Sequence, residues 1–205
     1  MTDMTASQLP GAQVLVIGAG IMGAGIAQVA AQAGHPVQLF DAREGAAAQA
    51  RTKLGETLQG LVTKGKLESA QAQAVLSRIE PITDLSQAQG ARMVVEAIVE
   101  NLEAKRGLLR QLEGLVSDDC ILATNTSSIS VTALANGLKH PQRLVGMHFF
   151  NPVPLMKLVE VVSGLQTDCQ VAEAIFALSK TWGKVPVHAR STPGFIVNRI
   201  ARPYY

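Results

Sequence analysis

Gln13-Val14-Leu15-Val16-Ile17, followed at once by Gly18-Ala19-Gly20-Ile21-Met22-Gly23, is the stretch that decides the fold. The first five residues are a short run rich in β-branched side chains, the pattern of a strand buried in a parallel sheet. The next six fit G-x-G-x-x-G and lead into an alanine-rich helical stretch that ends near Gly34. A second run, Val37-Gln38-Leu39-Phe40, stops at Asp41, an acid 23 positions after Gly18. In that setting Gly18 permits a tight turn, Gly20 lets backbone approach a pyrophosphate, and Gly23 lets helix and strand pack closely. A glycine-rich turn that binds nothing needs neither the following helix nor the acid, so a dinucleotide is the expected ligand. Gly18, Ala19, Gly20, Ile21, Met22 and Gly23 are the expected pyrophosphate contacts, and Asp41 the partner of the adenosine ribose hydroxyls. A 2′-phosphate at ~4 Å from Asp41 would meet a repulsion of about 4 kcal/mol per charge pair at an effective dielectric near 20. NAD is therefore expected over NADP, although Arg43 stands where a phosphate can sometimes be received.

Working outward, residues 44–79 read as a long polar helical stretch broken near Lys64-Gly65-Lys66, a helical hairpin inserted after the second strand. Strands are expected at 92–95, 120–123 and 143–147, with helices at 101–116 and 128–138 between them. This alternation predicts an α/β fold, a Rossmann-type, doubly wound, mostly parallel sheet with helices on both faces. Beyond Asn151-Pro152-Val153-Pro154 the pattern changes, and residues 155–162 and 185–188 read as strands flanking a helix at 168–182. The expected organisation is a tail at 1–12, a dinucleotide-binding domain at 13–190, and at 191–205 a linker and the start of another helix. In the last stretch Phe195, Ile196, Val197, Ile200 and Ala201 suit one helical face.

Composition narrows the function. The 205 residues are 47% hydrophobic and 17% charged, which is a globular balance rather than a disordered one. A net charge of +2 without a long basic block gives no reason to expect nucleic acid as a partner. Two cysteines, Cys120 and Cys169, make no disulfide framework and read as free thiols in a reducing compartment. The apolar stretch 14–27 is too short to span a bilayer, which needs roughly 20 residues. It also lacks a preceding basic residue, the first being Arg43, so neither a membrane segment nor a secretory signal is expected. The expected location is the cytoplasm.

A second constellation lies between residues 124 and 160. Thr124-Asn125-Thr126-Ser127-Ser128 follows the strand at 120–123, at the edge where open α/β sheets bind ligands. Gly146-Met147-His148-Phe149-Phe150-Asn151 follows in the same position on the next strand, and Glu160 lies twelve residues after His148 inside an apolar run. A carboxylate there needs a partner, because burying an unpaired charge is costly. An imidazole would supply one, and the pair would act as a general base with its orienter. Taken singly, His148 reads equally well as a structural histidine, and Glu160 as a partner of Lys157. His35, His140 and His188 lack metal-ligand spacing, so no metal is expected. Trp182 and Phe176 read as packing, and Glu96 as a local bridge.

These motifs, with Val94-Val95-Glu96-Ala97-Ile98-Val99-Glu100-Asn101 and Ser191-Thr192-Pro193-Gly194-Phe195-Ile196-Val197-Asn198-Arg199, resemble the 3-hydroxyacyl-CoA dehydrogenase family from about Val14 to Tyr205. The resemblance implies NAD-dependent, reversible oxidation of the 3-hydroxyl of an L-3-hydroxyacyl-CoA, the chemistry of fatty acid β-oxidation. It places the catalytic dyad on His148 and Glu160, with Ser127 and Asn198 as catalytic and substrate contacts. It places further NAD contacts on Glu100, Lys105, Ser127 and Asn151. It implies that the region bearing Arg51, Lys53, Lys64 and Lys66 meets the CoA phosphates, through Lys64 or Lys66. Ser163-Gly164-Leu165 and Arg199-Ile200-Ala201-Arg202-Pro203-Tyr204-Tyr205 are similar to the phenylacetate-degradation branch, which acts on 3-hydroxyadipyl-CoA, while the 3-hydroxybutyryl-CoA branch stays open. Family members continue into a helical second domain that forms a homodimer and closes over substrate. The expectation is accordingly a cofactor-binding half with little dehydrogenase activity by itself. Two rivals remain at this point. Another NAD(P)-dependent β-hydroxyacid dehydrogenase would share residues 13–41 but has no reason to carry the His148–Glu160 pair. A non-catalytic protein reusing the fold is the other.

Overall fold

A computed structural model describes residues 9–88 and 90–201. Its eight strands are β1 (Val14–Ile17), β2 (Val37–Phe40), β3 (Ile79–Pro81), β4 (Met93–Glu96), β5 (Ile121–Thr124), β6 (Leu144–Phe149), β7 (Leu158–Ser163) and β8 (Val185–Arg190). They form one sheet in the order β3-β2-β1-β4-β5-β6-β7-β8. All pairings are parallel except β6 with β7. The central strands β1, β4, β5 and β6 are buried along their whole length, which explains their largely apolar sequences; the polar exceptions Glu96, Thr124 and His148 lie toward the C-terminal ends of β4, β5 and β6.

The described residues form seven α-helices: α1 (Ile21–Gln32), α2 (Ala46–Thr63), α3 (Ser69–Ser77), α4 (Leu102–Glu113), α5 (Val131–Ala135), α6 (Cys169–Thr181) and α7 (Val197–Ala201). Each strand presents alternate side chains to two cores. Val14 and Val16 of β1 belong to one core with residues of α1, α2, α3 and α6, whereas Leu15 and Ile17 belong to a second core with residues of α4 and α5. Polar caps fix the starts of α4, α5 and α6. Asn101 Oδ1 accepts from the Ala104 N–H at 3.0 Å, Ser130 Oγ from Ala133 at 3.2 Å, and Asp168 Oδ1 from Gln170 at 2.8 Å.

The doubly wound sheet and the hairpin are as expected, with three differences. The helical stretch stops at Ser77, and Ile79–Pro81 pairs with β2 as an edge strand. A three-residue strand carries too little alternation to be read from sequence. Helix α5 is a five-residue turn rather than an 11-residue element, because the Ser191 hydroxyl accepts the Val131 N–H and pins its start. Residues 9–12 are not a loose tail. Leu9 is buried, and the carbonyl of Ala12 accepts a hydrogen bond from His35 Nδ1 at 2.8 Å. Residues 1–8 and 202–205 lie outside the described region.

No described helix is long and apolar enough to cross a membrane. Both cysteines are free, Cys120 buried and Cys169 exposed. Burial pushes the Cys120 thiol up to about 12, and the thiolate is the reactive form. A disulfide-exchange thiol reagent should therefore modify one thiol rapidly in the native protein and the second only after denaturation. Two fast equivalents would contradict this packing.

Candidate functional site

The three motif glycines have separable reasons. Gly18 has φ 100°, and a Cβ on it would lie 2.4 Å from the Ala97 carbonyl oxygen, so β1 can turn only on glycine here. A Cβ on Gly23 would lie 1.7 Å from the carbonyl oxygen of Gly18, so helix and loop could not pack. Gly20 is different. Its backbone is ordinary, φ −73° and ψ −172°, and a Cβ there would meet no protein atom within 4 Å. The missing side chain leaves space in front of the first turn of α1, where no side-chain cap and no acidic residue occupies the helix start. That space fits an anion lying against free amides, as a dinucleotide pyrophosphate does. A cleft of about 520 Å³ opens from this loop, walled by α1, α2 and the Asn151–Pro154 turn.

Asp41 stands at the end of β2 beside the same loop. Its Oδ2 accepts from the Ala19 N–H at 2.8 Å and from Arg43 Nη2 at 2.9 Å; its Oδ1 accepts from Arg43 N and Nε, both at 2.9 Å. The Arg43 side-chain hydrogen bond is the largest influence holding this carboxyl at about 2, below its usual 3.8. Any stability from that shift is full above the ordinary carboxylate range and is lost as pH falls toward 2. Four donors saturate the carboxylate, so a ribose diol can bond it only after Arg43 swings away. Arg43 is 73% exposed, and such surface pairs separate cheaply. Asp41→Ala should weaken NADH by about tenfold or more, from loss of a charge-assisted hydrogen bond. It should also narrow the margin over NADPH, since Arg43 is freed for a phosphate. Titration of both cofactors checks this, and an unchanged NADH:NADPH ratio would contradict it.

The His148–Glu160 pair is formed by register. β6 and β7 are antiparallel, with His148 directly opposite Glu160. His148 Nδ1 lies 2.6 Å from Glu160 Oε2, and the residues are 5% and 0% exposed. The other carboxylate oxygen accepts the Ile196 and Val197 N–H groups, both at 2.9 Å. Glu160 is thus held at three points and fixes one imidazole nitrogen, leaving Nε2 bonded to none of the described residues. The ring is flanked by Phe150 at 4.5 Å and Phe195 at 5.7 Å between centroids. Phe195 is buried in a left-handed turn, φ 50°, rather than on the expected helical face, and Ile200 is 63% exposed. Lys157 is not the partner of Glu160.

The 124–128 loop is tied to the pair from two sides. Asn125 Oδ1 accepts the Phe149 N–H at 2.9 Å, and Asn198 Nδ2 donates to the Ser127 carbonyl at 3.0 Å. Ser127 and Asn198 are therefore neighbours across 71 residues. Glu100 Oε1 accepts from Thr126 Oγ1 at 2.6 Å and from the Ser127 and Ser128 amides at 2.9 and 3.1 Å. These bonds and the Lys105 ammonium outweigh burial and hold the Glu100 carboxyl below its usual range.

Three further lysines expected to meet ligands take these places in the fold. Lys105 is 1% exposed, and its ammonium is bonded to Glu96 and lies 3.4 Å from Glu100. Lys64 and Lys66 sit at the tip of the hairpin, whereas Thr57 and Lys53 line the cleft about two and three helical turns earlier. Asn151 lines the cleft. Asn125 and Thr126 stood in the quoted 124–128 stretch and Phe195 on the expected helical face, none with a role of its own; the buried side chains of Thr126 and Phe195 carry no pattern that distinguishes them from core. No cluster of metal-ligating side chains occurs among the described residues.

The family described as 3-hydroxyacyl-CoA dehydrogenase, NAD binding domain, matches residues 13–192. The chain is 50% identical over 192 residues to 3-hydroxyadipyl-CoA dehydrogenase of Escherichia coli K12, covering 94% of this chain and 40% of that protein. It is 44% identical over 191 residues to 3-hydroxybutyryl-CoA dehydrogenase of Clostridioides difficile, covering 93% of this chain and 68% of that one. A crystal structure of 3-hydroxybutyryl-CoA dehydrogenase from Escherichia coli K12 superposes with a TM-score of 0.93 at 50% identity, over 96% of this chain and 42% of that one. With the glycine loop, the acid after β2 and the match over residues 13–192 in agreement, the chain belongs to the 3-hydroxyacyl-CoA dehydrogenase family and carries its NAD-binding domain.

Proposed function

We propose that this domain serves the NAD-dependent, reversible oxidation of an L-3-hydroxyacyl-CoA to its 3-oxoacyl-CoA. The observation that carries the reading is the buried His148–Glu160 pair at the ligand edge of the sheet, beside Ser127 and Asn198. Bound NAD supplies the hydride acceptor for C3 of the substrate. His148, held through Nδ1, takes the 3-hydroxyl proton on Nε2. Glu160 steadies the resulting imidazolium, and it stays in place because two backbone N–H groups hold its other oxygen. Ser127 and Asn198 hold the developing carbonyl oxygen. Glu100 fixes the loop that presents Ser127, and Asn151 faces the cofactor side of the cleft. Lys53 meets a ligand in the cleft first, and Lys64 or Lys66 its far phosphates. A full enzyme would act as a homodimer in the cytoplasm, with a helical domain closing the site.

The names of the relatives support two acyl groups, hydroxybutyryl and hydroxyadipyl. The test is a chimera in which residues 1–205 are completed with the remaining length of the Escherichia coli relative. It should form NADH from 3-hydroxyadipyl-CoA or 3-hydroxybutyryl-CoA, whereas the 205-residue chain should turn over far more slowly. No NADH formation from either by a folded chimera that binds NADH would overturn the proposal.

A further inference from the structure

Lys184 is a buried cation that the chemistry above does not use. It is 7% exposed and forms no salt bridge among the described residues. Helix α6 ends with Gly183 at φ 71°, the Gly183 N–H donating to the Lys180 carbonyl and the Lys184 N–H to Ser179. That Schellman closure turns the chain sharply into β8 and sends the Lys184 side chain inward. Its ammonium donates to the backbone carbonyls of Val153 at 2.5 Å and Met156 at 2.9 Å. Burial pushes this ammonium below the usual lysine range. A desolvated charge without a carboxylate is costly to keep for packing alone, since an apolar side chain could fill the space.

What the ammonium holds is the turn between β6 and β7. The Pro152 carbonyl accepts the Leu155 and Met156 N–H groups at 3.0 and 2.9 Å, closing one turn whose later carbonyls have no helix to continue into. Lys184 satisfies two of them. The front of the same turn, Asn151 to Pro154, walls the cleft beside Gly20. It also presses on α1, because a Cβ at Gly25 would lie 2.8 Å from Val153 Cβ. The turn therefore sits between Lys184 on one side and the helix that carries the glycine loop on the other.

We propose that Lys184 is a positioning residue for cofactor binding, locking the 151–156 turn in the shape that forms one wall of the cleft. This rests on the reading that the cleft takes NAD. Without the ammonium the turn loses its rear attachment, and the binding-competent shape becomes one of several. If that shape is held about a tenth of the time, the apparent Kd for NADH rises about tenfold. By linkage, bound NADH must strengthen the Lys184 attachment by the same factor.

The experiment is NADH titration of the 205-residue chain, followed by Lys184→Met, Lys184→Arg and the control Leu112→Ala. Leu112 belongs to the core on the opposite face of the sheet. Lys184→Met should weaken NADH about tenfold and shift the backbone amide resonances of Asn151, Val153, Leu155 and Met156. Lys184→Arg, which keeps a donor cation, should recover most of the affinity, and the control should lower stability without moving NADH affinity. Wild-type affinity in a folded Lys184→Met overturns the inference while leaving the NAD reading intact. A wild-type chain that takes no NADH overturns both. Should Lys184→Met fail to fold, acylation of Lys184 in the wild type decides. NADH should slow it about tenfold without slowing the exposed Lys180, and equal rates with and without NADH overturn the inference.

Discussion

Lys105→Met should destabilise the domain by about 3–5 kcal/mol, the usual consequence of removing one partner from a buried ion pair. Lys105 is 1% exposed and Glu96 0%. Glu96 Oε1 accepts from the Lys105 ammonium and the Ile98 N–H, and its other oxygen accepts from Thr124 Oγ1 at 2.7 Å. Without the ammonium the carboxylate keeps only neutral donors, in a site closed to water. The effect should appear as a lower denaturant midpoint with an unchanged m-value. Lys105→Met combined with Glu96→Leu should recover much of the loss, because the isolated charge is then gone. The single variant should also loosen the 126–128 loop, since Glu100 loses its cation. A loss under about 1 kcal/mol would mean that the pair is hydrated and contributes no more than a surface bridge.

His148→Gln should lower kcat by at least about 100-fold in the completed chimera, the lower range for loss of a positioned general base. NADH affinity should stay nearly constant, because His148 is not among the residues lining the cleft. Glutamine keeps a polar side chain of similar reach next to Glu160, so the fold should survive. Glu160→Gln should cost less, since it weakens the grip on the ring without removing the base. Wild-type turnover from His148→Gln would show that another group takes the proton.

Much of this was legible before the structure, for identifiable reasons. The strand at 14–17, the glycine loop and Asp41 sit within one short βαβ unit, so sequence distance and spatial distance nearly coincide. His148 and Glu160 were legible for a related reason, since a single turn between antiparallel strands puts residues twelve apart into direct register. The attachments of Glu160 to Ile196 and Val197, and of Asn198 to Ser127, are backbone contacts across 36 to 71 residues, which side-chain patterns do not encode. The ion pair of Lys105 was not legible in the same way. A lysine on an amphipathic helix reads as solvent-exposed or ligand-facing, and only the packing reveals that its ammonium turns inward onto Glu96. Lys53 was legible as a candidate but not ranked, because the cleft it lines exists only once α1 and α2 lie side by side.

The measurement that tests the central claim most directly is calorimetric titration of NADH and NADPH into the 205-residue chain. Every proposed cofactor contact, from the glycine loop to Asn151, lies within the described residues and needs no other domain. Saturable binding with NADH tighter than NADPH is the predicted result. No heat at millimolar NADH, or tighter binding of NADPH, would contradict the account.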